Sequence, residues 1–180
     1  MSFTITVSDR AVIDALNRLV GAVENPKPYL QSIGEDIVTR IKERFSSASG
    51  PDGQPWAANS PVTLARYIES HGGKNFRKDG RINKTGANRI ANKTPQQGHH
   101  GDQKRDFHED ADKHSVTIGN TMKYAAMQQF GGTKAQFPNL WGDIPARPFM
   151  PITATGELYP QDRDLILEGL TRYIQDATQE

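Results

Sequence analysis

The stretch from Leu30 to Ala48 constrains the chain more than any other. Leu30, Ile33, Ile37, Ile41, Phe45 and Ala48 recur at steps of three or four residues, the spacing of one face of an α-helix. Glu35, Asp36, Arg40, Lys42, Glu43 and Arg44 fall on the other side and read as its solvated face. Pro26 and Pro28 suit the start of such a helix, and the run from Ser46 to Pro51 carries its stop signals. A helix of this length spans roughly 30 Å at 1.5 Å per residue. It is not stable alone in water, so the rest of the chain has to cover its apolar stripe.

The flanking segments supply the cover. Phe3, Ile5 and Val7 alternate with Thr4 and Thr6, which predicts a short strand. Val12, Leu16, Leu19, Val20 and Val23 predict a helix, expected to pack beside the long one across the Asn25-Pro26 link. Gly34 reads either as a point of close approach between these two helices or as a tolerated surface glycine. Trp56 stands out in the turn-rich run Gly50-Pro51-Asp52-Gly53-Gln54-Pro55, as a loop anchor or a partner contact. Ser60-Pro61 opens a short helix with Leu64, Tyr67 and Ile68 on one side. Val116 and Ile118 predict a strand, and a helix follows from about Met122 to Phe130, with Tyr124 and Gln128 one turn apart. Pro145, Pro148 and Pro151 force an extended segment, and Arg147 sits on it. Such a stiff support lowers the entropy lost when its guanidinium grips an acidic group, on its own core or on a neighbouring subunit. Leu165 or Ile166, Leu170, Tyr173, Ile174 and Ala177 predict a closing helix, with Asp162 and Asp164 near its positive end.

Between 71 and 114 Gly, Asn, Lys, Gln and His dominate, and no period persists beyond a short strand at Arg89–Lys93. The segment reads as a polar, mobile loop or arm. The expected architecture is α+β: a single domain over 1–180, with several amphipathic helices on a small antiparallel sheet and 71–114 as a long polar excursion.

Composition narrows the function classes. The chain has no cysteine, so neither a disulfide framework nor thiolate chemistry is available. Met1 to Arg10 has no signal-peptide pattern, and no apolar run reaches the roughly 20 residues that span a bilayer. A protein made in the cytoplasm with no membrane association is the expectation.

His99, His100, Asp102, His108, Asp110 and His114 are metal-ligand types, but their spacing matches no closed zinc pattern. Lys74, Arg77, Lys78, Arg81, Lys84, Arg89 and Lys93 form a basic run that could neutralise phosphates, although the whole chain carries only +1. No nucleophile elbow, phosphate loop or dinucleotide fingerprint is present. No catalytic residue, cofactor or metal is expected. The alternative from another class is a nucleic-acid-binding or metal-dependent nucleic-acid-processing protein using 71–114.

Four motifs occur in a telling order. They are Phe45 with Pro51-Asp52-Gly53-Gln54-Pro55-Trp56 and Ser60-Pro61-Val62-Thr63-Leu64; Lys84-Thr85-Gly86; Val116-Thr117-Ile118-Gly119 with Tyr124-Ala125 and Gln128-Gln129-Phe130-Gly131; and Ile144-Pro145-Ala146-Arg147-Pro148-Phe149. Together they resemble the phage virion morphogenesis (tail completion) family across nearly the whole chain. The stretch 97–114 looks like an insertion in that pattern. The resemblance implies a non-enzymatic structural protein of a tailed phage or prophage, assembled in the bacterial cytoplasm and located in the virion tail. It would complete the head-proximal end of the tail for head–tail joining. The implied partners are further copies in a homo-oligomeric ring, tail tube or tail terminator proteins and head-neck proteins; transient DNA contact is a separate expectation, from the polar, basic 71–114 segment. Trp56, Tyr124, Gln128, Arg147 and Phe149 are the interface or structural candidates.

Overall fold

The structure is a computed structural model that describes residues 10–96, 102–140 and 142–179. The strand expected at Phe3–Val7, and Trp141, His99 and His100, lie outside the described residues. In chain order the elements are α1 (Arg10–Glu24), α2 (Lys27–Ser47), α3 (Pro61–Ser70), a 3-10 turn (Gly73–Asn75), α4 (Lys84–Ala91), α5 (Asp102–Arg105), β1 (Phe107–Ala111), β2 (Val116–Asn120), α6 (Ala125–Phe130) and α7 (Pro160–Gln179). This is an α+β arrangement.

Helix α2 is the centre. It buries Tyr29, Ile33, Ile37, Val38, Ile41 and Phe45, and both strands and α7 pack around it. The strands form one antiparallel hairpin, pairing Phe107 with Asn120 through Ala111 with Val116. Gly34 explains how the hairpin approaches: a Cβ there would lie 2.8 Å from Val116 Cγ2. The close approach is therefore to the hairpin, not to α1. On the far side, Tyr29 stacks on Tyr173 of α7 with ring centroids 5.6 Å apart. Helix α1 packs principally on α7 instead of α2, and the Tyr173 hydroxyl donates to the carbonyls of Ala22 and Asn25 at its end. The side-by-side packing expected of α1 and α2 is therefore replaced by packing on α7, whose Tyr173 holds the end of α1.

The region 71–114 holds more regular structure than its composition suggests, including α4 and β1. Arg89–Lys93, expected as a strand, instead covers the end of helix α4. Asn83 is the overlooked start signal: its side chain accepts from the Gly86 amide at 3.0 Å as an N-cap. Strand β1 was hidden by its own polarity, because only Phe107 among its residues is buried.

Two aspartates close the hairpin. Asp106 accepts from the Thr121 amide and hydroxyl, and Asp112 accepts from the His114 and Ser115 amides. The hydrogen bond from the Thr121 hydroxyl to Asp106, and the His114 amide at Asp112, hold both carboxyls below the ordinary aspartate value. A depressed native pKa stabilises the fold above the unfolded value, and that contribution is lost as pH falls through the native values. In an NMR pH titration the Thr121 and Ser115 amide shifts should therefore move with midpoints below that of an unstructured aspartate. Ordinary midpoints would show that these bonds do not hold the hairpin.

Arg44 was expected in water, yet it is 6% exposed and Asp162 is fully buried. Arg44 Nη2 lies 2.5 and 2.7 Å from the two Asp162 oxygens, and Nη1 donates to the Phe149 carbonyl at 2.8 Å. Arg40 adds a contact at 3.2 Å. One guanidinium thus ties α2 to the first turn of α7 and to the extended segment. Removing one member of a buried pair strands the other charge, so Asp162→Asn should cost about 3–5 kcal/mol in denaturant unfolding. The double variant Arg44→Met/Asp162→Leu should lose less than that.

Candidate functional site: the proline-rich junction

The segment 144–151 has no helix and, apart from an isolated bridge between Gly132 and Ile144, no strand partner. Its prolines lack amide donors, and its remaining backbone groups need partners from elsewhere. Side chains provide most of them. Trp56 Nε1 donates to the Pro148 carbonyl at 2.8 Å, and Gln96 Nε2 donates to the Arg147 carbonyl at 2.8 Å. Gln129 Oε1 accepts from both the Phe149 and Met150 amides, at 2.8 and 2.9 Å. The Arg147 amide donates to the Gln128 carbonyl at 2.8 Å.

The same segment returns the favour. Arg147 is 8% exposed, and its guanidinium donates to the carbonyls of Ala57 at 2.8 Å and Ala58 at 2.9 Å. A third, longer contact of 3.5 Å reaches Gln128 Oε1. The acidic partner expected of Arg147 is not what it grips within its own chain; the acceptors are carbonyl dipoles and a carboxamide. Burial lowers its pKa from the ordinary arginine value. Phe149 is 1% exposed and packs on Phe45 and Phe107, with centroids 5.3 and 5.5 Å away. Trp56 meets Phe45 edge-on at 5.3 Å. Those offset and edge geometries are the favourable ones for aromatic rings.

Local geometry delivers each group. The α2 C-terminus ends on Ala48 in the left-handed region, φ 53°, and the chain then folds back so that the Trp56 amide donates to the Ala48 carbonyl. Gly131 ends α6 with φ 70°, and a Cβ there would sit 2.7 Å from the Ala146 amide. Only glycine suits both that angle and that approach.

Of the sequence candidates, Trp56, Gln128, Arg147 and Phe149 meet at this junction. Tyr124, 46% exposed at the start of α6, belongs to the surface. Arg44, Asp162, Gln129 and Gln96 were missed. Arg44 carried no signal beyond polarity and Asp162 none beyond its place near the start of α7, whereas Gln129 stands beside Gln128 in one of the motifs. A surface depression on α7, lined by Leu167, Glu168, Thr171, Arg172 and Gln175, shares no residue with the junction. Among the described residues, no group of three or more His, Asp or Glu side chains is placed to hold a metal ion, and no helix is long and apolar enough to cross a membrane.

The junction's inward hydrogen bonds fit a structural latch. Arg147→Ala removes the donors to two main-chain carbonyls and should cost about 3 kcal/mol in chemical denaturation, while Arg147→Lys, which reaches one carbonyl, should recover part of that. A neutral Arg147→Ala variant would show that the latch carries no stability.

The model of the phage virion morphogenesis family matches residues 7–175. Protein G of Escherichia phage Mu, named for a role in capsid assembly, is 28% identical over 158 residues, covering 87% of this chain and 88% of that protein. No solved structure matches significantly. The match spans all four motifs, including the two that build the aromatic junction around Trp56 and Arg147: the chain belongs to the phage virion morphogenesis family.

Proposed function

We propose that this protein is a structural subunit that completes the head-proximal end of a phage tail for head–tail joining, working as a homo-oligomeric ring. Its action is attachment and not chemistry. Family membership supports a virion-assembly role. One structural observation carries the self-association. Ile13, Leu16, Val20 and Val23 of α1 are 43%, 55%, 53% and 64% exposed, and α1 has no buried residue. Their steps of three, four and three residues form a seam suited to another helix.

A second copy is the occupant we commit to. Inside one chain α1 already packs on α7, with Ala15, Leu19 and Ala22 half-buried. Helix α7 also shows an outward stripe, Leu167, Leu170 and Ile174, at 50%, 37% and 37% exposure. The two exposed stripes extend the packed faces of helices that already fit each other. Contact between α1 of one copy and α7 of the next is head-to-tail, the type that closes into rings. The completed ring would present its remaining surfaces to tail tube or terminator proteins on one side and head-neck proteins on the other.

The test is mass in solution across a concentration series, with complementation of tails that lack the protein. Wild type should form a discrete multimer and restore joining to heads. Leu16→Glu/Val20→Glu should stay folded, weaken association at least tenfold and fail to complement. A wild-type monomer at every concentration, alone and on tails, would overturn the ring. Complementation of capsid assembly in place of tail joining would overturn the tail assignment.

A further inference from the structure

The net charge of +1 conceals a strong asymmetry. Residues 74–93 hold seven cations, Lys74, Arg77, Lys78, Arg81, Lys84, Arg89 and Lys93, against one acid, Asp79, a net +6. The chain total of +1 therefore leaves −5 on all remaining residues. Such charge segregation within one chain points to a polyanionic partner.

The structure makes this stretch a built unit. Asn75 is fully buried and its Nδ2 donates to the carbonyls of Ile68 and Gly72. Asn83 donates from its amide to the Asn75 carbonyl and from Nδ2 to the Lys74 and Phe76 carbonyls, while its Oδ1 caps α4. Gly86 presses against Asn75 so closely that a Cβ would lie 2.6 Å from the Asn75 carbonyl oxygen. Between Phe76 and Ile82 the chain makes a tight turn: the Arg77 amide donates to the Arg81 carbonyl at 2.7 Å, and Asp79 accepts from the Arg81 amide. The single acid is thus engaged with the turn's own backbone.

The cations divide into two sets. Arg89 and Lys93 are half-buried, with the Lys93 ammonium 5.0 Å from the Tyr67 ring. Lys74, Arg77, Lys78, Arg81 and Lys84 are exposed, and among the described residues no ion pair engages them.

From this we infer that the 74–93 unit is a docking surface for the phosphate backbone of duplex DNA. Protein partners ordinarily meet an apolar interface core. Here one large apolar side chain, Ile82, is exposed between 74 and 93. Single strands are gripped by exposed aromatic platforms, and Phe76, the aromatic residue of the unit, is half-buried. Five exposed cations that no ion pair engages among the described residues match a partner of uniform negative charge, and contacts to phosphate make the binding indifferent to sequence. The inference goes beyond tail completion and does not rest on it.

The test is fluorescence anisotropy of the full chain with labelled 20-base-pair DNAs of unrelated sequence, from 25 to 200 mM NaCl. Five phosphate contacts predict a log–log salt slope of about −4.5. Arg77→Ala/Lys78→Ala/Arg81→Ala should make that slope shallower by about 3 and weaken binding more than tenfold at 50 mM salt. Circular dichroism and the solution mass of the variant should match wild type, which separates this result from a failure of self-association. No binding at 25 mM salt, or a variant with unchanged affinity and slope, overturns the proposal. Tighter binding to polyglutamate would assign the surface to an acidic protein, and tighter binding to single strands would assign it to unpaired nucleic acid; either overturns it.

Discussion

The structure depends on satisfying a backbone that cannot satisfy itself. Prolines at 145, 148 and 151 exclude the segment 144–151 from a helix interior or a central strand, yet Arg147 and Phe149 within it are buried. A buried, unpaired peptide group costs about 1–3 kcal/mol. The chain answers with side chains from four other places: Arg44 at the Phe149 carbonyl, Trp56 at Pro148, Gln96 at Arg147 and Gln129 at two amides. That requirement draws α2, the 49–58 turn, the residues after α4 and α6 to one point. Arg147 then uses the same segment as a platform to fix the carbonyls of Ala57 and Ala58.

This organisation explains what was legible in the sequence. The α2 stripe could be read because burial of apolar side chains leaves a periodic trace, and Ile33, Ile37, Ile41 and Phe45 are all in the core. The extended form of 144–151 could be read because proline fixes its own backbone angle. Arg44 could not, because a charge on a helix looks the same whether water or Asp162 receives it. Asp162 was legible as an acid near the positive end of α7, but not as a fully buried partner of α2. Pairings over 118 positions of sequence leave no local trace.

The polar stretch 71–114 misled for a related reason. Its order rests on amide side chains and glycines, not on an apolar stripe. Asn75 and Asn83 supply hydrogen bonds that fix the 3-10 turn, the tight turn and α4, and Gly86 permits their contact. Composition registers asparagine and glycine as marks of irregularity, which they are when solvated. Here Asn75 is buried at 0% exposure and its amide is engaged twice. Hairpin β1–β2 was obscured similarly, since its ends are closed by Asp106 and Asp112 and its β1 strand buries little besides Phe107.

The distribution of polar groups separates the buried junction from the accessible surface. A buried donor has to find an acceptor within the chain, because water cannot reach it. At the junction the donors of Arg44, Trp56, Gln129 and Arg147 are directed at carbonyl or carboxylate oxygens of the same chain. Among the features left outward are an apolar seam on α1, an apolar stripe on α7 and, between 74 and 84, cations that no ion pair engages among the described residues. The α1 seam is backed by α7, whereas the cations between 74 and 84 are carried by the turns and α4 that Asn75 and Asn83 brace. The junction's donors are thus taken up in holding the α2 end, the 49–58 turn and the proline-rich segment together, and the polar groups that stay accessible lie elsewhere on the chain.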